Sequence, residues 1–193
     1  MCIGASLFIF HQGTQEAIGM VKERFSFEFI EKKMRKKNFG ILSTITKDGR
    51  PHSTGILYGV SPPDEIFSLY VMTGKRYQKT KNIQRNQDVA FVIPYPHYWL
   101  RFVPPNAVSF QGFAEILPSD DPIGVKSFQD SRILRMNLEE SSNDSEDMVF
   151  IRIVPDKKIH VYGLGISLME LRRSHTEGSY YVKIPSGRMD IKD

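Results

Sequence analysis

Two β-rich runs, Ile41–Thr46 and Pro51–Tyr58, flank Lys47-Asp48-Gly49-Arg50, and this arrangement constrains the fold more than any other in the chain. Asp-Gly between such runs is a strong hairpin signal, because both central positions of a type I′ turn need positive φ. The two runs are therefore expected to pair as antiparallel strands. A further strand, Phe67–Met72, follows the Ser61-Pro-Pro-Asp64 turn, and Val108–Leu117 reads as a long strand with Gly112 in its interior, where a bulge or barrel bend is expected. Met148–Val154 and Lys158–Tyr162 alternate apolar and polar residues, with Pro155-Asp156 read as a turn between them. Many antiparallel strands with few helices predict a mainly β fold with flanking helices, a small closed or split β-barrel of Greek-key-like order.

The helices are equally local in their signals. Ser26 is a candidate N-cap for a helix through Lys37 that buries Phe27, Ile30 and Met34 and stops near Gly40. Ser119-Asp-Asp-Pro122 starts a second helix expected to run through Met136, and Glu139–Asp147 reads as an acidic, solvated loop.

Composition sets the outer bounds. With 193 residues, 40% of them hydrophobic, the chain is long enough for one domain with a full core. The division expected is an N-terminal extension, 1–19, upstream of a coherent start at Met20, and a single domain over 20–193. The apolar run Cys2–Phe10 is too short to span a bilayer, so no membrane segment is expected. One cysteine, Cys2, excludes an internal disulfide and agrees with a reducing cytoplasm. The formal charge of +4 is concentrated in Lys32–Lys37 and Lys75–Arg85, which invites an anionic cofactor or, as the rival, nucleic acid.

The second of these basic segments has the chemistry of an anion site. Between Lys75 and Asn86 there are five cations and no acid, directly after the strand-like run that ends at Thr73. A strand that feeds a helix start leaves backbone N–H groups and the positive end of the helix dipole at one corner. Thr73, Gly74 and Lys79 add a hydroxyl, an unobstructed amide and a charge. The bland alternative is a solvated basic helix face.

The order of strand, Asp-Gly turn, Arg50-Pro-His-Ser53 strand, Leu69-Tyr-Val-Met-Thr73 strand, Lys79-Thr-Lys-Asn-Ile83 helix and Gln111-Gly-Phe-Ala-Glu115 strand resembles the pyridoxamine 5′-phosphate oxidase-like split β-barrel flavoproteins, over roughly Phe25 to Gly163. The resemblance implies a homodimer with flavin mononucleotide (FMN) at its interface. Thr73 and Lys79, six residues apart, match the family's phosphate-binding pair, with Met72 beside them. Thr54, Gly55, Ile56 and Leu57 match the strand laid along the flavin ring. Two family arginines are replaced, by Thr54 and Gln78, so the resemblance leaves Lys75, Arg76 or Lys81 to supplement the phosphate contact. Ile159-His-Val-Tyr162 looks like the family's carboxy-terminal segment, with Tyr162 in the place of its tryptophan. The Arg-Leu-His-type substrate clamp is replaced by Gly163-Leu-Gly-Ile-Ser-Leu168. The resemblance therefore implies a flavin-dependent oxidoreductase of undetermined substrate, distinct from an authentic pyridoxamine phosphate oxidase.

Alternatives on the same barrel are a non-catalytic flavin, deazaflavin or haem protein, and a basic barrel for single-stranded nucleic acid. The last would need aromatics interleaved with cations, whereas Trp99 and its neighbouring tyrosines are flanked by prolines. The aromatic loop Tyr95–Pro105 could line the flavin edge or pack over the barrel mouth, and His97 within it is the histidine considered for proton transfer. His52 stands next to the flavin wall, and no histidine spacing suggests a metal.

Overall fold

The computed structural model describes residues 25–96, 105–142, 147–166 and 178–189. Residues 1–19, expected to form an N-terminal extension, Cys2 among them, and also His97 and Trp99, lie outside them. Helix α1 (Phe27–Arg35) opens as its sequence dictates: the Ser26 hydroxyl accepts from the Phe29 amide at 3.2 Å, and Phe27, Ile30 and Met34 are buried on one face. It ends at Arg35, before Lys37, because Asn38 is drawn into extended pairing, where its carbonyl accepts from the Tyr58 amide at 2.9 Å.

Strands β1 (Phe39–Ile45) and β2 (Pro51–Leu57) form the expected hairpin, in register from Phe39↔Leu57 to Ile45↔Pro51. The turn is not type I′. Gly49 alone has positive φ, at 75°, and the Thr46 amide donates to the Arg50 carbonyl at 2.8 Å. The extra residue makes a longer loop, in which only the glycine position is left-handed, so Asp48 keeps negative φ.

The remaining strands are β3 (Gly59–Val60), β4 (Leu69–Gly74), β5 (Asp88–Tyr95), β6 (Asn106–Pro118), β7 (Met148–Pro155), β8 (Lys158–Tyr162) and β9 (Ser179–Lys183). Helix α2 (Gln78–Arg85) links β4 to β5, and α3 (Pro122–Gln129) and α4 (Arg132–Ser142) link β6 to β7. The sheet runs β2-β1-β5-β6-β7-β4-β3, with β8 added to β6 and β9 to β8. All pairings are antiparallel. This curled sheet with flanking helices is a split barrel.

Pro155-Asp156 does not reverse the chain. β7 and β8 both run antiparallel to β6, β7 against Gly112–Pro118 and β8 against Ala107–Ser109. Together they are one long strand with a bend, its extra residues accommodated where the Asp156 amide donates to the Gln111 carbonyl at 2.9 Å. β4 covers the other edge of the first half and β9 that of the second. The bend is therefore where the barrel splits. Gly112 sits opposite it, where a Cβ would overlap the Val154 carbonyl.

The helix expected from Pro122 to Met136 is two helices. Asp121 caps α3 through a 2.7 Å bond from the Gly124 amide. Ser131 restarts the chain as α4, its carbonyl accepting from the Arg135 amide at 2.9 Å. The acidic stretch is partly helical, since α4 runs to Ser142. The main core includes Leu42, Phe91, Val108, Ile153 and Val161, all at or below 1% exposed, each stabilising the fold by about 1.5–3 kcal/mol. A second cluster, Tyr70, Phe128, Leu134 and Phe150, lies under α3 and α4.

Candidate functional site

The basic corner is built by β4, a short turn and the first turn of α2. β4 is nearly all buried, with Leu69, Val71 and Thr73 facing the main core, while Met72 packs against the second cluster. Thr73 is only 4% exposed. The Thr80 hydroxyl donates to the Gly74 carbonyl at 2.9 Å and so fixes the turn to the helix behind it. Asn82 anchors α2 to the sheet by donating to the buried Thr44 hydroxyl at 2.9 Å.

The helix start itself is unsatisfied. Tyr77 occupies the N-cap position with no side-chain bond to the first amides, and no acidic residue stands in the first turn. Those amides face outward with a positive end charge. Lys79 is half-buried beside them, its Nζ 4.6 Å from the centre of the Tyr77 ring. Burial lowers its ammonium pKa from the ordinary 10.5, and no carboxylate among the described residues pairs with it. A desolvated cation beside free amides suits an anion, whose charge would restore the ammonium form. Lys75 and Arg76 are exposed, and Arg76 Nε lies 3.4 Å from Asp147 Oδ1. That pair costs little to open, being at the surface. Lys81 is also exposed on α2.

β2 forms the neighbouring wall. Ile56 is buried in the main core and Leu57 packs with Met72 on the second cluster, which brings β2 alongside β4. Thr54 is partly exposed and Gly55 exposed, with the Phe39 ring 2.8 Å from the position a Gly55 Cβ would take. His52, on the Thr54 side of the strand, has a buried Nδ1 with no hydrogen-bond partner among the described residues. Leu57 and Met72 thus share the second cluster, while Thr73, Lys75, Arg76 and Lys79 lie together at the corner between β4 and α2.

Tyr162 does not join them. Thr73 pairs with Val149 near the start of the long β7–β8 strand, and Tyr162 is its last residue. The thirteen intervening steps span roughly 40 Å of extended chain. Tyr162 shares its face of β8 with His160, away from the basic corner.

A family model described as pyridoxamine 5′-phosphate oxidase matches residues 27–162, well over half of the chain. The chain belongs to this family. Among curated proteins nothing matches the sequence. Solved structures with the same fold include the heme storage protein HutZ from Vibrio cholerae, 16% identical over 72% of this chain and 97% of that one, TM-score 0.56. A conserved hypothetical protein from Mycobacterium tuberculosis is 24% identical, covering 67% of this chain and 80% of that one, TM-score 0.51. A heme binding protein from Mycobacterium smegmatis is 15% identical over 66% and 49%, TM-score 0.52. At such identities the likeness is one of fold. Among the described residues no helix is long and apolar enough to cross a membrane.

Two features leave no local signal in the sequence. One is the break of the long strand at Pro155–Lys157, which Pro-Asp disguises as a reversal. The other is His160, whose Nδ1 lies 3.3 Å from Ser109 Oγ and whose Nε2 bonds Ser179 Oγ. Its neighbours come from β6 and β9, so only the strand pairing reveals it.

Proposed function

We propose that the chain is an FMN-binding flavoprotein, a flavin-dependent oxidoreductase that holds its cofactor at the interface of a homodimer. The observation that carries this reading is the uncapped start of α2, with half-buried, unpaired Lys79 beside it and Thr73 behind. Lys79 and the amides of α2 would hold the phosphate, with Lys75 or Arg76 joining once Asp147 releases the latter. Thr54 to Leu57 and Met72 would line the ring. Bound flavin supplies hydride or electron transfer, and the protein orients the ring and shields it from water.

The separation just described supports the homodimer reading. On this reading the Tyr162 that closes a flavin comes from the partner subunit. Support comes from the outer sheet face, where exposed Phe39, at 52%, and small residues such as Ser43, Gly55 and Ala90 offer a flat surface for a second copy. The absence of the Arg-Leu-His-type clamp after Tyr162 argues that pyridoxamine 5′-phosphate is a poor substrate.

Haem is the alternative raised by the two heme-associated neighbours. Both ring nitrogens of His160 are engaged by serines, which argues against His160 as an axial ligand and favours flavin. Titration of the purified protein with FMN, flavin adenine dinucleotide and haem tests the reading. FMN should bind tightest, because there is one phosphate corner; tighter binding of the dinucleotide or of haem would overturn it.

A further inference from the structure

Outside the basic corner, the outer face of the sheet carries a groove of about 1170 Å³ at the bend of the long strand. It is roomier than the ~300–1,000 Å³ of most small-ligand sites. Val92 and Ser109 form part of its floor, His160 and Tyr181 a wall, and Lys157 and Lys158 its rim. The His160 ring is fixed between Ser109 and Ser179 and lies 5.0 Å from the Tyr181 ring, which is itself exposed.

The charges on this rim are not balanced. Lys158 pairs directly with Lys183, so two ammonium groups leave the same face of the β8–β9 ribbon as His160 and Tyr181. Like charges directly opposite each other across strands repel. Among the described residues no carboxylate forms an ion pair with Lys157, Lys158 or Lys183, although exposed Asp156 also lines the groove. An anion among these ammonium groups removes the repulsion, and the apolar floor beside it accepts a ring.

We propose that this groove binds a small aromatic carboxylate, with its charge on Lys158 and Lys183 and its ring against the His160 and Tyr181 wall. The His160 ring, held by Ser109 and Ser179, offers the ligand a fixed flat face. Tyr162 follows His160 by two residues on the same face, about 7 Å along the strand. If Tyr162 covers the partner's flavin, as the proposed function has it, the groove opens beside that flavin and its ligand is the substrate. This last step rests on that reading; the binding site itself does not.

Benzoate, with benzamide as its uncharged match, is the probe. Its binding is followed by NMR through the His160 ring resonance, assigned from the spectrum of a His160→Gln variant, with and without FMN. Benzoate should shift that resonance, benzamide should bind at least about tenfold more weakly, and raising salt should weaken benzoate alone. Lys158→Gln with Lys183→Gln should weaken benzoate about tenfold, leaving FMN affinity unchanged. Equal binding of the two probes, no shift at His160, or full affinity in the double variant would overturn the proposal. If FMN fails to bind but benzoate still shifts His160, the flavin reading falls and the carboxylate site stands.

Discussion

Lys79 is the residue on which the proposed phosphate site turns. Its ammonium is half-buried, unpaired among the described residues and adjacent to free helix amides. Lys79→Ala should weaken FMN by about one to two decades, since a charge-assisted hydrogen bond is worth roughly 1.5–3 kcal/mol, and should leave riboflavin unchanged. Fluorescence titration with both ligands checks this; parallel losses would make the residue structural. A pH series adds a second check. Because burial lowers the Lys79 pKa below 10.5, the ammonium in the free protein is lost earlier than in an ordinary lysine. FMN affinity should therefore fall relative to riboflavin as pH rises, starting below the usual lysine range. This residue was legible in the sequence because strand, turn and helix start are contiguous there. His160 was not, because its partners Ser109 and Ser179 are distant along the chain.

The elements most legible in the sequence were those with local causes. Ser26 capping α1 and Asp121 capping α3 are decided within three residues. The β1–β2 hairpin was expected from Asp48-Gly49, but the turn type depends on where pairing ends, at Ile45↔Pro51, which no dipeptide specifies. The β7–β8 bend is hidden for a similar reason: a Pro-Asp step looks alike whether the chain reverses or continues along β6. Gly112 is the residue that makes this bend possible. Gly112→Ala should destabilise the protein by about 1–3 kcal/mol, because a Cβ has no room beside the Val154 carbonyl and the strand must shift. Urea unfolding measures it, and a stability equal to the parent would show that β6 and the bend do not pack as described.

At the scale of the whole molecule, two contacts decide the account. Within one chain, Glu31 joins Arg35 at 2.6 Å and Arg188 at 3.2 Å, and Arg188 Nε donates to the Glu65 carbonyl at 2.6 Å. This network fastens the turn after β9 to α1 and to the connection before β4. Arg188→Ala should cost about 2 kcal/mol, the scale of hydrogen bonds to charged groups, read as a lower thermal midpoint; an unchanged midpoint would remove the clamp. Between chains, the proposed contact is that of Tyr162 with a flavin held at the partner's Lys79. The barrel was foreseeable from strand order, whereas the separation of Tyr162 from Lys79 needed the pairing of β4 and β8 to opposite ends of one long strand. Mixing two separately crippled proteins, Lys79→Ala and Tyr162→Ala, tests the shared site most directly. After subunit exchange, a mixed dimer has one site with both residues intact and one with neither. The account predicts that mixing restores a fraction of tight FMN binding that neither variant shows alone; no recovery after demonstrated exchange would contradict a flavin held between two subunits.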